Sequence, residues 1–454
     1  MRGAKPGRNA PSMKARSETS QQTSFLMPSL AEQCDPRQAL VKLAEEIDWG
    51  HFEQAFGEHY SEQGRPAKPV RLMVGLLLLK HLENLSDEQL IERWVQNPYY
   101  QLFCGMTQFQ WELPCHPTDL VYFRRRIGEE GCTLLLQSSA QLHGDVLKER
   151  EIVVDTTVQE KNITHPTDTK LYHKIIQRCW KLADSHGVKL RRRYSKDVKN
   201  AVLAQRWRGH AKRAKQARRG VRRLRTIAHC LIRELRRKLS ADEAAAQARN
   251  FELYKRVLNQ KPKDKNKIYS LHEPEVYCVA KGKAHKKYEF GSKASVAMTK
   301  DTGVIVAAVA HPENIYDGHT LPEVLEVTES IMGQRPSKAI VDRGYRGRKK
   351  VGPTEILPPG KPPKGQTRSQ KNRMRKRFRR RAAIEPVIGH LKHDFRLARN
   401  YLKGQLGDQL NLLLAATAWN LRKRMRQFLW PLIQSWLQLL QMLLNTLPST
   451  AGAR

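Results

Sequence analysis

The alternation of hydrophobic and polar positions divides the chain into a helical first third and a later part that contains strands. Between residues 25 and 150 the pattern predicts helices, and the segment "VRLMVGLLLLKHL" after Pro69 is apolar nearly all round. Such a helix belongs in the core of a domain, and proline is well placed at its start. It is too short and too closely flanked by charge to cross a bilayer. We therefore expect an all-α N-terminal domain over residues 25–150.

Two helix starts in this region are relevant to DNA binding. Ser86, with Gln89 at the capping-box position, predicts one helix, and Thr118 or Asp119 is the expected N-cap of a second, short helix. The basic residues of that second helix are Arg124, Arg125 and Arg126. Two short capped helices, the second ending in arginines, suit DNA binding of the helix-turn-helix type. An ordinary helical bundle with a solvated basic end explains the same pattern equally well.

The period of the pattern changes at residue 151, where "EIVVDTTV" predicts a short buried strand with Asp155 near its carboxyl end. "KASVAMTK" and "GVIVAAVAH" predict a hairpin, "TLPEVLEVTESIM" predicts a helix, and "KAIVDRGYRG" predicts a strand that ends at Asp342. The prolines of "TEILPPGKPPKG" stop one last short strand. Strands and helices mixed in this order predict an α/β domain over residues 151–425.

A long basic helical insertion, residues 160–272, separates the first strand from the hairpin. Within residues 189–239, twenty Lys or Arg face only Asp197 and Glu234, which gives a formal charge of +18. So much like charge needs an anion to neutralise it, and we therefore expect this span to line a phosphate backbone. The predicted DNA contacts in this span are Arg206 and Arg208. A solvated, partly disordered run of charge is the alternative.

The two ends of the chain differ from the rest. Residues 1–24 are polar and lack the apolar centre of a signal peptide, so we expect a disordered lead. Residues 426–454 predict an amphipathic helix, because apolar residues recur there at steps of three and four beside a stripe of glutamines. Its apolar positions are Trp430, Ile433, Leu437, Leu440, Leu444 and Leu447. Packing onto the core is the expected role, and self-association is the alternative.

The net charge of the chain narrows the class of partner. There are 82 Lys and Arg against 44 Asp and Glu, which gives a formal charge of +38. Such a field favours a polyanion, above all nucleic acid. A membrane surface is normally met by an amphipathic basic helix or a lipid anchor, and the amino terminus shows neither. The seven cysteines lack the short paired spacings of a zinc site, which suits free thiols in a reducing cytoplasm.

Three carboxylates are the candidates for chemistry. Asp155 and Asp342 each end an apolar strand, where an acid is costly to bury unless it is paired or holds a cation. If residues 377–395 form one helix, Glu385 shares a face with three other side chains. These are Phe378, Arg381 and Lys392. Three acids can hold two hard divalent cations through oxygen ligands. Ordinary turn residues and a solvated arginine-glutamate pair are the plain alternatives.

Three segments together resemble the signature regions of the DDE transposases of bacterial insertion sequences. They are "VVDTT", "VDRGYRG" and "FRRRAAIEPVIGHLK". The third region of that group reads Tyr-x2-Arg-x3-Glu-x6-Lys, and the spacing is kept here with Phe378 in place of the tyrosine. "YEFGSK", "NIYDGHTL" and the run "PVRLMVGLLLLKHLENLSDEQLIERWVQNPYYQLFCG" also resemble recurrent segments of the group. The resemblance covers about residues 60–425.

The resemblance implies a ribonuclease-H-like mixed-sheet core that cuts DNA at terminal inverted repeats and joins the freed 3′ ends to a target. Asp155, Asp342 and Glu385 then correspond to the acids that bind two Mg²⁺ ions, for which Mn²⁺ substitutes. The implied contacts to double-stranded DNA on these motifs are Arg346, Arg381 and Lys392. The implied supporting residues are Phe378, Asn314, Asp317 and His319, although an ordinary helix-start role is favoured for His319.

The same resemblance sets expectations for assembly and location. Joining two DNA ends implies a homodimer or a larger complex on DNA, in the nucleoid of a bacterial cytoplasm. No membrane and no small-molecule cofactor are expected.

Two other classes of function are compatible with the sequence. A non-catalytic DNA-binding protein derived from a transposase would keep the charge, but the presence of all three acids argues against it. A nuclease with the same metals would only hydrolyse DNA, and the ligands for hydrolysis and strand transfer are the same. Inverted repeats directly beside the coding region would favour transposition over both.

Overall fold

The computed structural model describes residues 28–59, 67–261, 263–280, 287–360 and 365–446 of the 454-residue chain. The architecture is mixed α/β, as the sequence pattern predicts. The expected disordered lead, residues 1–24, lies outside the described residues. Across the described ranges, no helix combines the length and the apolarity that a bilayer span requires.

One mixed sheet forms the centre of the molecule. Its strands are β1 Glu151–Lys161, β2 Tyr277–Ala280, β3 Tyr288–Thr299, β4 Ile305–His311, β5 Lys338–Ile340, β6 Lys350–Val351, β7 Thr354–Leu357 and β8 Arg399–Asn400. The spatial order is β2-β3-β1-β5-β7-β6, with β4 also paired to β3 and β8 to β1. β1, β5 and β7 run parallel, whereas β3 is antiparallel to β1, β2 and β4. The predicted hairpin is therefore confirmed as β3-β4.

Helices precede, interrupt and follow these strands. The first group is α1 Leu30–Gln33, α2 Ala39–Glu46, α3 Trp49–Gly57, α4 Val70–Leu82, α5 Asp87–Gln96, α6 Pro98–Phe103 and α7 Pro117–Gln141. The group between β1 and β2 is α8 Asp168–Ser185, α9 Ser195–Leu203, α10 Ala214–Lys238, α11 Ala241–Ala246 and α12 Ala248–Asn259. The last group is α13 Asp317–Met332, α14 Arg368–Arg381, α15 Ile384–His393 and α16 Gly404–Thr446.

The N-terminal helices and the sheet share one hydrophobic core. α4 is buried continuously from Leu72 to Leu82, so it needs apolar neighbours on every side. α16 supplies one of them, and it also packs against α2, α7 and β4. Buried side chains of these helices and of β1, β3 and β4 form a single cluster. The described part of residues 25–150 therefore supplies helices, as expected, but its core is continuous with that of the sheet.

The helical insertion has a hydrophobic core of its own, built from α8, α9, α10 and α12. In α10, Leu224, Ile227, Leu231 and Leu235 are buried at steps of three and four, which places them on one face. All ten Lys and Arg side chains of α10 are exposed on the remaining surface. The basic span is thus a folded helical subdomain rather than a disordered run of charge.

The second predicted DNA-binding helix starts and ends differently from the expectation. α7 begins at Pro117 with His116 as the N-cap, because a proline without an N–H fits the first helical position. Asp119 is the third helical residue instead, and its carboxylate accepts the His116 backbone N–H at 2.9 Å. α7 is also long, with a break at Gly128, where φ is 60°. Ser86 caps α5 together with Gln89, as predicted.

The predicted helix around Glu385 is interrupted. α14 ends at Arg381 and α15 begins at Ile384. Pro386 explains the break, because its ring crowds the carbonyl four residues earlier, at Ala382, and it has no N–H to donate. The Glu385 N–H bonds instead to the Ala382 oxygen at 3.2 Å, across a tighter turn.

Two other boundaries were also misplaced. β1 continues to Lys161, so Asp155 lies inside the strand rather than near its end. The amphipathic helix expected from residue 426 is the last part of α16, which begins at Gly404. Of its predicted apolar positions, Leu437 is exposed, and the other five lie where the structure does not describe side chains.

Candidate active site

The parallel pairing of β1 with β5 brings two of the predicted acids together. Ile152 lies opposite Ala339 and Val153 opposite Ile340. The same register, continued by two residues, sets Asp155 beside Asp342. Adjacent strands lie about 4.8 Å apart, and residues in register point to the same face of a sheet. The two carboxylates therefore project side by side where β5 ends and β1 continues.

Each carboxylate is oriented by a backbone N–H group close by in sequence. Asp155 Oδ1 accepts the N–H of Thr156 at 2.8 Å. Asp342 caps the short 3₁₀ turn Arg343–Tyr345, where its Oδ1 accepts the N–H of Gly344 at 2.7 Å. These bonds fix one oxygen of each acid and leave the second to face the site.

Glu385 is joined to this pair through Arg381. The Arg381 guanidinium lies 3.5 Å from Asp155 Oδ2 through Nη2 and 3.5 Å from Glu385 Oε1 through Nη1. The Glu385 side chain is 62% exposed, whereas that of Asp155 is 14% exposed. Arg381 and Glu385 stay in contact across the break between α14 and α15, and Glu385 stands at the rim of the site.

The donor set suits a hard divalent cation. All three acids offer carboxylate oxygens, the ligands that Mg²⁺ and Mn²⁺ prefer, and the strand acids stand side by side. Within the described residues, however, no three His, Cys, Asp or Glu side chains are gathered closely enough to hold a metal. The Arg381 guanidinium lies between Asp155 and Glu385, 3.5 Å from an oxygen of each. The residues fit a metal by donor type, and Glu385 is the most exposed of the three candidate ligands.

Tyr345 is a buried residue of the site that the sequence reasoning did not single out. Its side chain is fully buried, and burial raises the pKa of its hydroxyl well above the usual value. The negative charges of Asp317, Asp155 and Asp342 raise this pKa further. A neutral phenol therefore lies among three aspartates. The signal in the sequence was its position in "VDRGYRG", three residues after Asp342.

The predicted supporting residues divide into two groups. Asp317 is the first residue of α13 and accepts a hydrogen bond from Thr156 Oγ1 at 3.1 Å, beside Asp155. Asn314 and His319 are exposed. The His319 ring packs on Tyr316 with ring centroids 5.5 Å apart. Only Asp317 among these three contacts the strand that carries Asp155.

Two further residues of the third signature region lie on either side of Glu385. Phe378, in α14, is half-buried against the main core. Lys392 is half-buried in α15, two helical turns beyond Glu385, so both side chains lie on one face of that helix.

Arg124 does not lie on the surface where DNA would meet it. Its side chain is buried and forms a bidentate ion pair with Asp87, at 2.9 and 2.6 Å. Lys80 shares the same carboxylate at 2.8 Å. These two cations outweigh the effect of burial and lower the pKa of Asp87 to about 2. Burial, together with the neighbouring Arg124, lowers the pKa of Lys80 to about 8. Arg124 is therefore a structural residue, which a pattern of neighbouring arginines could not reveal.

The other arginines proposed to contact DNA are exposed. They are Arg125, Arg126, Arg206, Arg208 and Arg346. Arg206 and Arg208 flank Trp207 at the end of a 3₁₀ turn in the insertion, and the guanidinium of Arg213 stacks 4.4 Å from the Trp207 ring. This corner of the insertion therefore presents cations around one aromatic ring.

Two family models match the chain. Residues 28–126 match a transposase domain (DUF772), and residues 259–421 match a transposase DDE domain. The second range contains Asp342 and Glu385, whereas Asp155 and most of the helical insertion precede it.

One curated protein is similar to part of the chain. It is described as "Uncharacterized protein ORF8 in nfe locus" from Rhizobium meliloti, and it is 46% identical over 183 residues. The match covers 39% of this chain and 88% of that protein. No solved structure matches the chain.

Proposed function

Because the chain belongs to the DDE transposases of the insertion-sequence type, we propose that it cuts DNA at the terminal inverted repeats of an insertion sequence. The freed 3′ ends are then joined to target DNA by direct transesterification. The observation that carries this proposal is the register of β1 and β5, which sets Asp155 beside Asp342. The parallel strands β1, β5 and β7 with the antiparallel β3-β4 hairpin support a ribonuclease-H-like core.

In this proposal Asp155, Asp342 and Glu385 hold two Mg²⁺ ions, and Mn²⁺ can replace them. When bound, the ions activate the attacking hydroxyl and stabilise the leaving oxygen of a phosphodiester. The Thr156 and Gly344 N–H groups keep the two aspartates aimed at the reacting phosphate. The neutral phenol of Tyr345 adds no further negative charge among them.

Arg381 has two roles in this scheme. In the protein alone its guanidinium neutralises Asp155 and Glu385 together. A DNA phosphate offers the same guanidinium a competing anion, with the bidentate geometry that arginine favours. Transfer of Arg381 to the phosphate frees both carboxylates, while Lys392 holds the next part of the backbone. Binding of DNA and assembly of the metal ligands are thus coupled through one side chain.

The wider DNA surface combines both parts of the chain. Arg125, Arg126 and Arg346 contact the backbone near the sheet, and Arg206 and Arg208 contact it from the insertion. Arg124 is left out of this set because it is buried against Asp87. Two ends must be joined in one reaction, so the active form is a homodimer or larger on DNA, acting at the bacterial nucleoid.

The test is cleavage and strand transfer on labelled DNA that carries the element's own ends, with Mg²⁺ or Mn²⁺ against EDTA. Glu385→Gln should lower both activities by about a thousandfold, since a lost metal ligand removes several kcal/mol of transition-state stabilisation. Glu355→Gln is the matched control, because Glu355 is also a half-exposed glutamate paired with a cation, Lys338, at 3.8 Å.

Other results of this assay would contradict the proposal. Metal-dependent nicking without joined products would identify a nuclease that only hydrolyses. Tight binding without chemistry under either metal would identify a DNA-binding protein, and equal activity of Glu385→Gln and wild type would remove Glu385 from the site.

A further inference from the structure

Two of the segments that resemble recurrent segments of the transposase group come into contact in the structure. The proposed chemistry uses neither of them. Lys293 ends "YEFGSK" on β3, and Asp317 lies within "NIYDGHTL" at the start of α13. The Lys293 ammonium forms an ion pair with Asp317 Oδ1 and donates to the Ile315 carbonyl oxygen at 2.7 Å. The Lys293 side chain is 10% exposed and that of Asp317 is 24% exposed. This is a half-buried pair, for which loss of one partner is costly.

The same carboxylate contacts the residue that follows Asp155. Thr156 Oγ1 donates to Asp317 Oδ1 at 3.1 Å, and the Thr156 backbone N–H donates to Asp155 Oδ1 at 2.8 Å. One residue, Thr156, therefore connects Asp317 with the first of the metal-binding acids.

The second oxygen of Asp317 faces the turn of Asp342. A Cβ atom added at Gly344 would lie 2.9 Å from Asp317 Oδ2 and 2.9 Å from Asp342 Oδ1. The two carboxylates thus approach each other across a glycine that leaves no room for a side chain. Like charges so close disfavour each other, and Lys293 supplies the compensating charge.

We propose that Lys293 and Asp317 form a positioning pair for the metal-binding acids. Asp317 fixes Thr156 beside Asp155 and borders the Asp342 turn, and Lys293 cancels the charge that Asp317 would otherwise add. Asp317 acts here through its neighbours rather than as a metal ligand, since its Oδ1 is paired with the Lys293 ammonium. The inference rests on the proposed metal site and adds two residues that tune it from outside, a role by which neighbouring groups commonly change metal affinity.

The test is the affinity for Mn²⁺ of the full-length protein with duplex DNA of the element's ends bound, because DNA draws Arg381 away from the acids. It is measured by electron paramagnetic resonance of the free ion, and the Mn²⁺ bound by the DNA alone is subtracted. Asp317→Asn keeps the hydrogen-bond acceptor but leaves the Lys293 ammonium without its anion beside Asp155 and Asp342. We expect Mn²⁺ binding to weaken by about 10-fold or more. Lys293→Met leaves Asp317 uncompensated, so the affinity should stay equal or rise. The double variant Asp317→Asn with Lys293→Met should return to within about threefold of wild type, because both charges are gone.

The control is Glu329→Gln, on the same helix as Asp317 and also paired with a cation, Arg335, at 2.8 Å. It should bind Mn²⁺ as wild type does. The inference would be overturned if Asp317→Asn bound Mn²⁺ with wild-type affinity. It would also be overturned if the double variant bound Mn²⁺ as weakly as Asp317→Asn does. If Asp317→Asn fails to fold, Lys293→Met alone tests the inference. Its Mn²⁺ affinity is expected to stay equal or rise, so weaker Mn²⁺ binding by this variant would overturn the inference.

Failure of the proposed function gives a different result. In that case the wild type itself does not bind Mn²⁺ at this site, or Asp155→Asn binds it as wild type does. Binding that depends on Asp155 but not on Asp317 removes the positioning pair alone.

Discussion

In the sheet, the charged side chains of the candidate site converge on one another, whereas in the helical insertion the basic side chains of α10 point away from a shared apolar core. Asp155 and Asp342 are half-buried, Arg381 lies 3.5 Å from Asp155, and Lys293 pairs with Asp317, which borders the Asp342 turn. The basic side chains of α10 are all exposed. The charged groups of the candidate site act at fixed positions, so each is expected to be indispensable for activity. The exposed basic residues of α10 contribute together to DNA binding, so each one is expected to be replaceable.

The largest effect is expected from a substitution among the converging acids of the candidate site. Asp342→Asn keeps the hydrogen bond from the Gly344 N–H but removes one negative charge. We expect strand cleavage to fall by about a thousandfold, because a metal ligand is lost. The melting temperature should not fall, because repulsion between neighbouring carboxylates is relieved. Cleavage rates and calorimetry on the same preparation measure the two effects.

The matched control makes the same chemical change in the insertion. Asp197→Asn removes an acid that pairs with Arg192 at 3.0 Å and Arg223 at 3.3 Å. Cleavage should change little. A loss as large as that of Asp342→Asn would abolish the distinction between the two regions.

A second prediction concerns the two separate hydrophobic cores. Removing a buried leucine side chain from either core should lower the free energy of unfolding by about 2–5 kcal/mol. Leu231→Ala opens a cavity in the insertion, and Leu413→Ala opens one in the core shared by the sheet and the N-terminal helices. Because no residue belongs to both clusters, each variant should destabilise its own part. Hydrogen exchange should increase in α8 and α10 for Leu231→Ala, and in β1, β3 and β4 for Leu413→Ala. Increased exchange throughout the molecule in both variants would show that the two cores unfold together.

The smallest effect is expected from substitutions among the exposed basic residues of α10. Arg218, Arg222 and Arg225 are exposed at steps of four and three along α10. Replacing all three with glutamine should weaken DNA binding and lower the slope of log affinity against log salt by about 2 to 3. Arg37→Gln is the control, because Arg37 is already paired with Asp35 at 3.1 Å. An unchanged slope in the triple variant would make the insertion a solvated surface without a role in binding.

Local signals in the sequence predicted much of the fold. β-branched runs gave β1 and the β3-β4 hairpin, and the apolar run after Pro69 gave α4. The break after Arg381 could have been predicted, since Pro386 is visible four residues after the interrupted carbonyl. The short strands β2, β6 and β8 were missed, because two to four residues carry too little pattern to distinguish them from loops.

The site was predictable only in part, for a physical reason. The resemblance singled out Asp155, Asp342 and Glu385, but their distances depend on strand register and on Arg381. The burial of Arg124 follows from Asp87, which lies on another helix. Pairings of this kind are set by tertiary packing, so neither residue type nor spacing reveals them.

The way in which the insertion joins the sheet has a consequence for engineering the protein. Glu160 at its entrance and Tyr277 at its exit both pair with Gly291, from opposite sides of β3. Two strand spacings separate them, which is about 10 Å. A linker of about four residues spans that gap, since each extended residue covers about 3.3–3.6 Å. A chain in which such a linker replaces the helical subdomain therefore retains every acid of the site.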